Sequence, residues 1–170
     1  MKQSIIILLT LIAFSACEID KKKYDYIPED KKPDLQNGDT VYFVNHQDNS
    51  LVDTFVISRY EGYRDYDKTR YVEYIDLNYK RINKSLPLFL YATYGLNGAI
   101  IDASTKENWT TYVANKPYTT ELDINGMKYS VFIGVSKYPS PDLPDTLYFL
   151  DKEGLLKYKY SDTHYYEIKL

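Results

Sequence analysis

A mainly β, antiparallel fold is what this chain predicts, on three observations. From Asp39 onward, short β-branched and aromatic runs alternate with turn residues at hairpin spacing. Asn125-Gly126, between two alternating strands, supplies the two positive-φ positions of a type I′ turn. The chain also carries 20 tyrosines, a residue that fits a pleated, half-buried surface, and they are spread along every candidate strand. Together these predict an antiparallel curled sheet, open barrel or sandwich of about eight strands with at most one or two short helices.

The chain divides into residues 1–16, 17–38 and 39–170. Residues 17–38 combine both charge signs, two prolines and few apolar side chains in "EIDKKKYDYIPEDKKPDLQNG", which predicts an extended tether that lifts the domain off its attachment point. Strands follow at "DTVYFV", "SLVDTFVISRY", "RYVEYIDLNYK", "LPLFLYATY" and "GAIIDA", with Ile75 and Leu77 on one face and Asp76 and Asn78 on the other. Pro87 belongs at a strand start or an edge. Ser104 and Glu107 match a capping box, Trp109, Tyr112 and Val113 share a helical face, and Pro117 closes the segment, which predicts a helix there against the low propensity of Thr110 and Thr111. In "TELDINGMKYSVFI" the two-residue loop sets Ile124 opposite Met127 and Leu122 opposite Tyr129. Val131 and Ile133 then continue that face, with Asp123 and Lys128 on the polar side. A three-strand meander ends the domain: Gly154 suits the left-handed position of "DKEG", and Leu156, Tyr158 and Tyr160 alternate with Lys157 and Lys159.

The amino terminus explains the single cysteine. Met1 and Lys2 precede an apolar run, Ser4 to Ala16, shorter than the about 20 residues a membrane-crossing helix needs. Phe14 at −3 disfavours ordinary secretory cleavage. "FSAC" resembles instead the bacterial lipoprotein lipobox, with Phe14 where that box most often has Leu. The resemblance implies cleavage before Cys17 and diacylation of its thiol, and at roughly 0.8 kcal/mol per buried CH₂ two or more acyl chains anchor stably. With no second cysteine there is no disulfide framework to build.

The net charge of −3 becomes −4 once Lys2 leaves with residues 1–16. Acids and bases are interleaved, which argues against a nucleic-acid partner. His46 and His164 lie far apart without metal-ligand spacing, so no metal or other cofactor is expected. No GxSxG elbow is present, and the aspartates of "DNS", "YRDYD" and "SPDLPD" sit in turn compositions, so catalysis is not expected. The segment "RYEGYRDYDKTRY", read as a long hairpin loop, carries Tyr60, Tyr63, Arg64, Tyr66, Arg70 and Tyr71. These are residue types enriched at binding hot spots, and they are able to stack on and hydrogen-bond a sugar.

"LDINGMKYSVFIGV" followed by "DTLYFLDKEGLLKYKYSDTHYYEI" is similar to the carboxyl ends of small, mostly uncharacterised lipoproteins of Bacteroidota. That resemblance covers the signal, Cys17 and residues 118–170. It implies a lipid-anchored envelope protein, with the outer membrane expected and either leaflet open, and it transfers no active site. The expectation is a monomeric, non-catalytic module that binds an envelope protein or a glycan; the alternative is a carrier of lipid or another small apolar ligand.

Overall fold

The computed structural model describes residues 22–95, 98–105, 107–114 and 120–169. Its strands are β1 (Lys23–Asp25), β2 (Thr40–Asn45), β3 (Val52–Asp67), β4 (Arg70–Arg81), β5 (Phe89–Gly95), β6 (Gly98–Ser104), β7 (Trp109–Ala114), β8 (Thr120–Ile124), β9 (Met127–Ser136), β10 (Thr146–Leu150), β11 (Gly154–Lys159) and β12 (Tyr165–Ile168), with one 3₁₀ turn at Glu29–Lys31. Ten strands, β2 to β7 and β9 to β12, pair with their sequence neighbours, and β12 returns to β2 to close an up-and-down antiparallel barrel. Closure removes the free edges of an open sheet. The mainly β antiparallel prediction is correct, and of its alternatives the barrel is the one that forms, closed and of ten strands.

Strand alternation decides what fills the barrel. Phe43, Phe55, Ile57, Ile75, Leu77, Leu90, Ile101, Leu147 and Phe149 point inward, together with Tyr79, Tyr94, Tyr112 and Tyr158, all nearly or fully buried. Tyrosine is thus an interior filler here as well as a surface residue. Three of these four buried hydroxyls have hydrogen-bond partners, Tyr94 Oη being the exception: Tyr112 donates to the Pro144 carbonyl at 2.5 Å, Tyr158 donates to Asp53, and Tyr79 accepts from the Leu155 amide. A cavity of about 10 Å³ lined by Tyr79, Leu90, Ile101, Leu147, Phe149 and Leu155 is the size of one water, far below the roughly 300–1,000 Å³ of a ligand site. Leu88 and Leu143 are buried at one barrel end.

Ile27 occupies the other end, and this revises the tether. From Lys22 the segment lies on the domain: β1 pairs in parallel with Arg70–Val72 of β4, Ile27 is buried in the core, and Leu35 packs against it. Arg59 Nη1 donates to the carbonyls of Pro33 and Leu35, and the Ile27 amide donates to Glu73, which also pairs with Lys32 at 3.0 Å. Two isolated apolar residues in a charged stretch thus act as plugs.

The predicted helix does not form among the described residues, and Pro117, its expected end, lies outside them. Ser104 ends β6, and Thr105 Oγ1 accepts from the amides of Glu107 and Asn108 to make a turn. Trp109 to Ala114 then run as β7, with Thr110 and Tyr112 inward and Trp109 exposed. β-Branched Thr110 and Thr111 follow their strand preference, and β6 and β9 supply the partners.

The Asn125-Gly126 hairpin forms with the predicted register, Ile124 against Met127 and Leu122 against Tyr129, at φ values of 54° and 80°. Leu122, Ile124 and Val131 lie over the outer wall on Ile133, Tyr148 and Leu150. A bulge opposite Tyr148–Phe149 turns Leu156 to this outer cluster and Leu155 into the barrel, so Leu156 does not share a face with Tyr158.

Gly154 has a φ of 76°, and a Cβ there would stand 2.2 Å from Tyr79 Oη. Gly154→Ala is expected to destabilise the fold by about 2–4 kcal/mol, which lowers the melting temperature by roughly 5–15 °C. Thermal unfolding followed by circular dichroism checks it, and an unchanged melting point refutes the steric account.

A candidate binding groove on the outer wall

Two polar assemblies stand out, one inside the barrel and one outside. Inside, Asp53 on β3 is fully buried. Its Oδ2 accepts from Arg81 Nη1 at 2.7 Å and from the Tyr158 hydroxyl at 2.6 Å, while Lys84 Nζ lies 2.9 Å from Oδ1. Arg81 also donates to the Leu86 carbonyl at 2.8 Å. Burial raises the Asp53 carboxyl, but the Tyr158 hydroxyl, Arg81 and Lys84 outweigh it and leave the group below the usual carboxylate range. Burial followed by the adjacent carboxylate pushes Tyr158 far up, and burial takes Tyr160 to about 12.

The other buried carboxylate among the described residues, Glu73, lies at the opposite end of β3–β4. Tyr63 faces Glu73, ten positions along β3 from Asp53, or about 30 Å at roughly 3.3 Å per residue. An acid–base pair for glycoside hydrolysis needs about 5–9.5 Å, and each carboxylate is already held by cations. This inner assembly is a lock joining β3, β4 and β11. No group of His, Cys, Asp and Glu with metal-binding geometry occurs among the described residues. His46 follows β2 and stacks on Tyr165 at 4.4 Å, and His164 stacks on Tyr160 at 5.0 Å.

Outside, the segment read as a loop is a two-stranded ribbon: β3 and β4 stay paired from Phe55–Arg81 to Asp67–Arg70 and project beyond the barrel. Alternation along the ribbon divides the six candidate residues between its faces. Tyr63 and Tyr71 share one face with Tyr24, whose ring stacks on Tyr71 and meets Tyr63 edge-on, both at 5.2 Å. Tyr60, Arg64, Tyr66 and Arg70 take the other, where Arg64 lies 4.4 Å over Tyr74 and Arg70 4.7 Å over Tyr66. Tyr60 and Tyr66 are 64% and 61% exposed.

At the base of that second face lies a groove of about 220 Å³ lined by Tyr60, Asp76, Asn78, Tyr91, Ala92 and Thr93. Register builds it: Asp76 faces Thr93 and Asn78 faces Tyr91 across β4–β5, all on the outer side because Ile75, Leu77, Leu90 and Ala92 point inward. Asp76 Oδ1 and Asn78 Oδ1 are buried and accept no hydrogen bond. Two unused acceptors between partly exposed tyrosine rings suit a ligand rich in hydroxyl donors. The outward pairing of Asp76 and Asn78 was readable from alternation. Tyr91 was missed, because only the β4–β5 register brings it there. Trp109, 67% exposed beside Tyr138 at 6.3 Å, is a further outer aromatic pair that the helix reading hid.

Cys17 lies outside the described residues. Among them no helix is long and apolar enough to cross a membrane. No family model matches the chain, and no curated protein or solved structure matches it at a significant level.

Arg81→Met strips Asp53 of its best cation and is expected to cost about 3–5 kcal/mol. The folded pKa of Asp53 lies below its unfolded value of about 3.9. The carboxylate's contribution is therefore complete at neutral pH and disappears as pH falls through about 4 and below. Urea melts at about pH 7 and about pH 3 should show a flatter pH dependence for Asp53→Asn than for the parent protein; parallel slopes would remove the lock from the acid response.

Proposed function

We propose that this protein is a lipid-anchored lipoprotein of the cell envelope, held through Cys17, and that it acts as a non-catalytic binding module whose outer groove takes a glycan. The observation that carries the reading is the groove itself: Asp76 Oδ1 and Asn78 Oδ1 unpaired beneath Tyr60 and Tyr91, on a barrel whose inside is occupied by its own side chains. A carboxylate and an amide offer acceptors and donors to sugar hydroxyls, and rings beside them stack on the apolar faces of pyranoses. That filled interior speaks against the lipid-carrier alternative. An envelope protein is the second reading, favoured by the exposed Trp109–Tyr138 pair and the tyrosine–arginine face of the ribbon.

Saturation-transfer NMR against a panel of neutral disaccharides tests the groove. Transfer is expected with dissociation constants on the order of 1 mM, and Asp76→Ala and Tyr91→Ala should each weaken binding about tenfold while the melting temperature holds. Transfer to none of the sugars, or equal transfer in both variants, removes the glycan reading. For the anchor, Cys17→Ala is expected to leave folding intact and move the protein from the membrane to the soluble fraction; unchanged membrane fractionation contradicts the lipoprotein reading.

A further inference from the structure

The described chain begins at the tip of the ribbon. Lys23 faces Arg70, the first residue of β4, and its amide donates to the Thr69 carbonyl at 2.8 Å, in the turn that joins β3 to β4. Four residues lie between Cys17 and Lys22, and the five Cα–Cα steps that join them reach at most about 18 Å. An anchor at Cys17 therefore holds this tip, and not the far barrel end, within about 18 Å of the bilayer surface, close enough to enter the headgroup layer.

The tip has the composition that the membrane–water interface selects. Tyr24, Tyr26 and Tyr63 are exposed on one face and Tyr66 on the other. Tyrosine is enriched at that depth because its ring is apolar and its hydroxyl wet. Lys22, Lys23, Arg64, Lys68 and Arg70 stand against three carboxylates, Asp25, Asp65 and Asp67. The carboxylates are taken up by Lys22, Lys23 and Arg70. Arg64 lies over Tyr74 and Lys68 sits in the turn, and neither is paired with a carboxylate among the described residues. Long basic side chains without partners at a tyrosine-rich tip suit anionic lipid headgroups.

We infer that the β3–β4 ribbon with β1 rests in the headgroup layer of an anionic bilayer, so that the lipid and the ribbon together fix the barrel's orientation and turn the Trp109 end away from the membrane. This inference rests on the reading of Cys17 as the anchored residue. The two are separable in experiment, because Cys17, the only cysteine, can be coupled chemically to a maleimide lipid whether or not a cell acylates it.

The test uses the chain from Cys17 onward, coupled in this way to vesicles of phosphatidylglycerol and acyl-brominated phosphatidylcholine. Trp109, the only tryptophan, reports on the far end, and Tyr66→Trp in a Trp109→Phe background reports on the ribbon. The expected result is at least twofold bromolipid quenching, with a blue shift, at position 66 and none at Trp109. Lys68→Glu is expected to lower the quenching on phosphatidylglycerol vesicles. An indole at position 66 that remains open to aqueous iodide and untouched by bromolipid overturns the inference, as does quenching of Trp109 instead. Shielding of position 66 in native envelopes without bromolipid quenching would give the ribbon to a protein partner and would also overturn it.

Discussion

A closed ring of ten strands encloses more volume than small aliphatic side chains fill, and the need to occupy it shapes the rest of this molecule. Tyr79, Tyr94, Tyr112 and Tyr158 supply the bulk. Their hydroxyls bring a second demand, because a buried phenol without a partner is costly. Tyr158 meets it with Asp53, and that choice in turn requires Arg81 and Lys84, since a lone buried carboxylate is not tolerated. Tyr112 reaches the Pro144 carbonyl and thereby fixes the 137–145 loop over one mouth of the barrel. The polar lock and one end closure both follow from filling the lumen with rings.

Much of this was legible because alternation is a local signal. The Asn125-Gly126 hairpin carried its register in its own sequence, and so did the outward placement of Asp76 and Asn78 on β4. The failures have physical reasons. Around Trp109–Ala114 the capping-box pattern and the i, i+3, i+4 spacing competed with a period of two in Thr110 and Tyr112, and neighbouring strands decided for the latter. "RYEGYRDYDKTRY" lacks an apolar face because the ribbon leaves the barrel, so its alternation is of tyrosine with charge and reads as loop. Ile27 and Leu35 are single apolar residues among charges, and their burial depends on a cavity mouth that no local window contains.

The groove was half readable for the same reason. Its polar floor lies within one strand and its aromatic walls do not: Tyr60 comes from β3 and Tyr91 from β5, sixteen and thirteen positions from Asp76 and Asn78. Its position outside the wall frees it from the packing demands of the interior, so its composition can change without cost to the barrel. The inner lock has the opposite character. Asp53, Arg81 and Tyr158 tie together strands distant in sequence, and their chemistry is committed to holding the shape.

Pairing of β12 with β2 has a kinetic side. The barrel closes only when Tyr165–Ile168 reach Phe43–Asn45, a separation of more than a hundred residues, and such non-local pairing is slow to form. Until then β2 and β12 are open edges able to pair with other chains. A chain emerging from its amino terminus thus spends its assembly time with the first barrel strand waiting for the last. The charged Glu167 and Lys169 beside that seam discourage wrong partners during the wait.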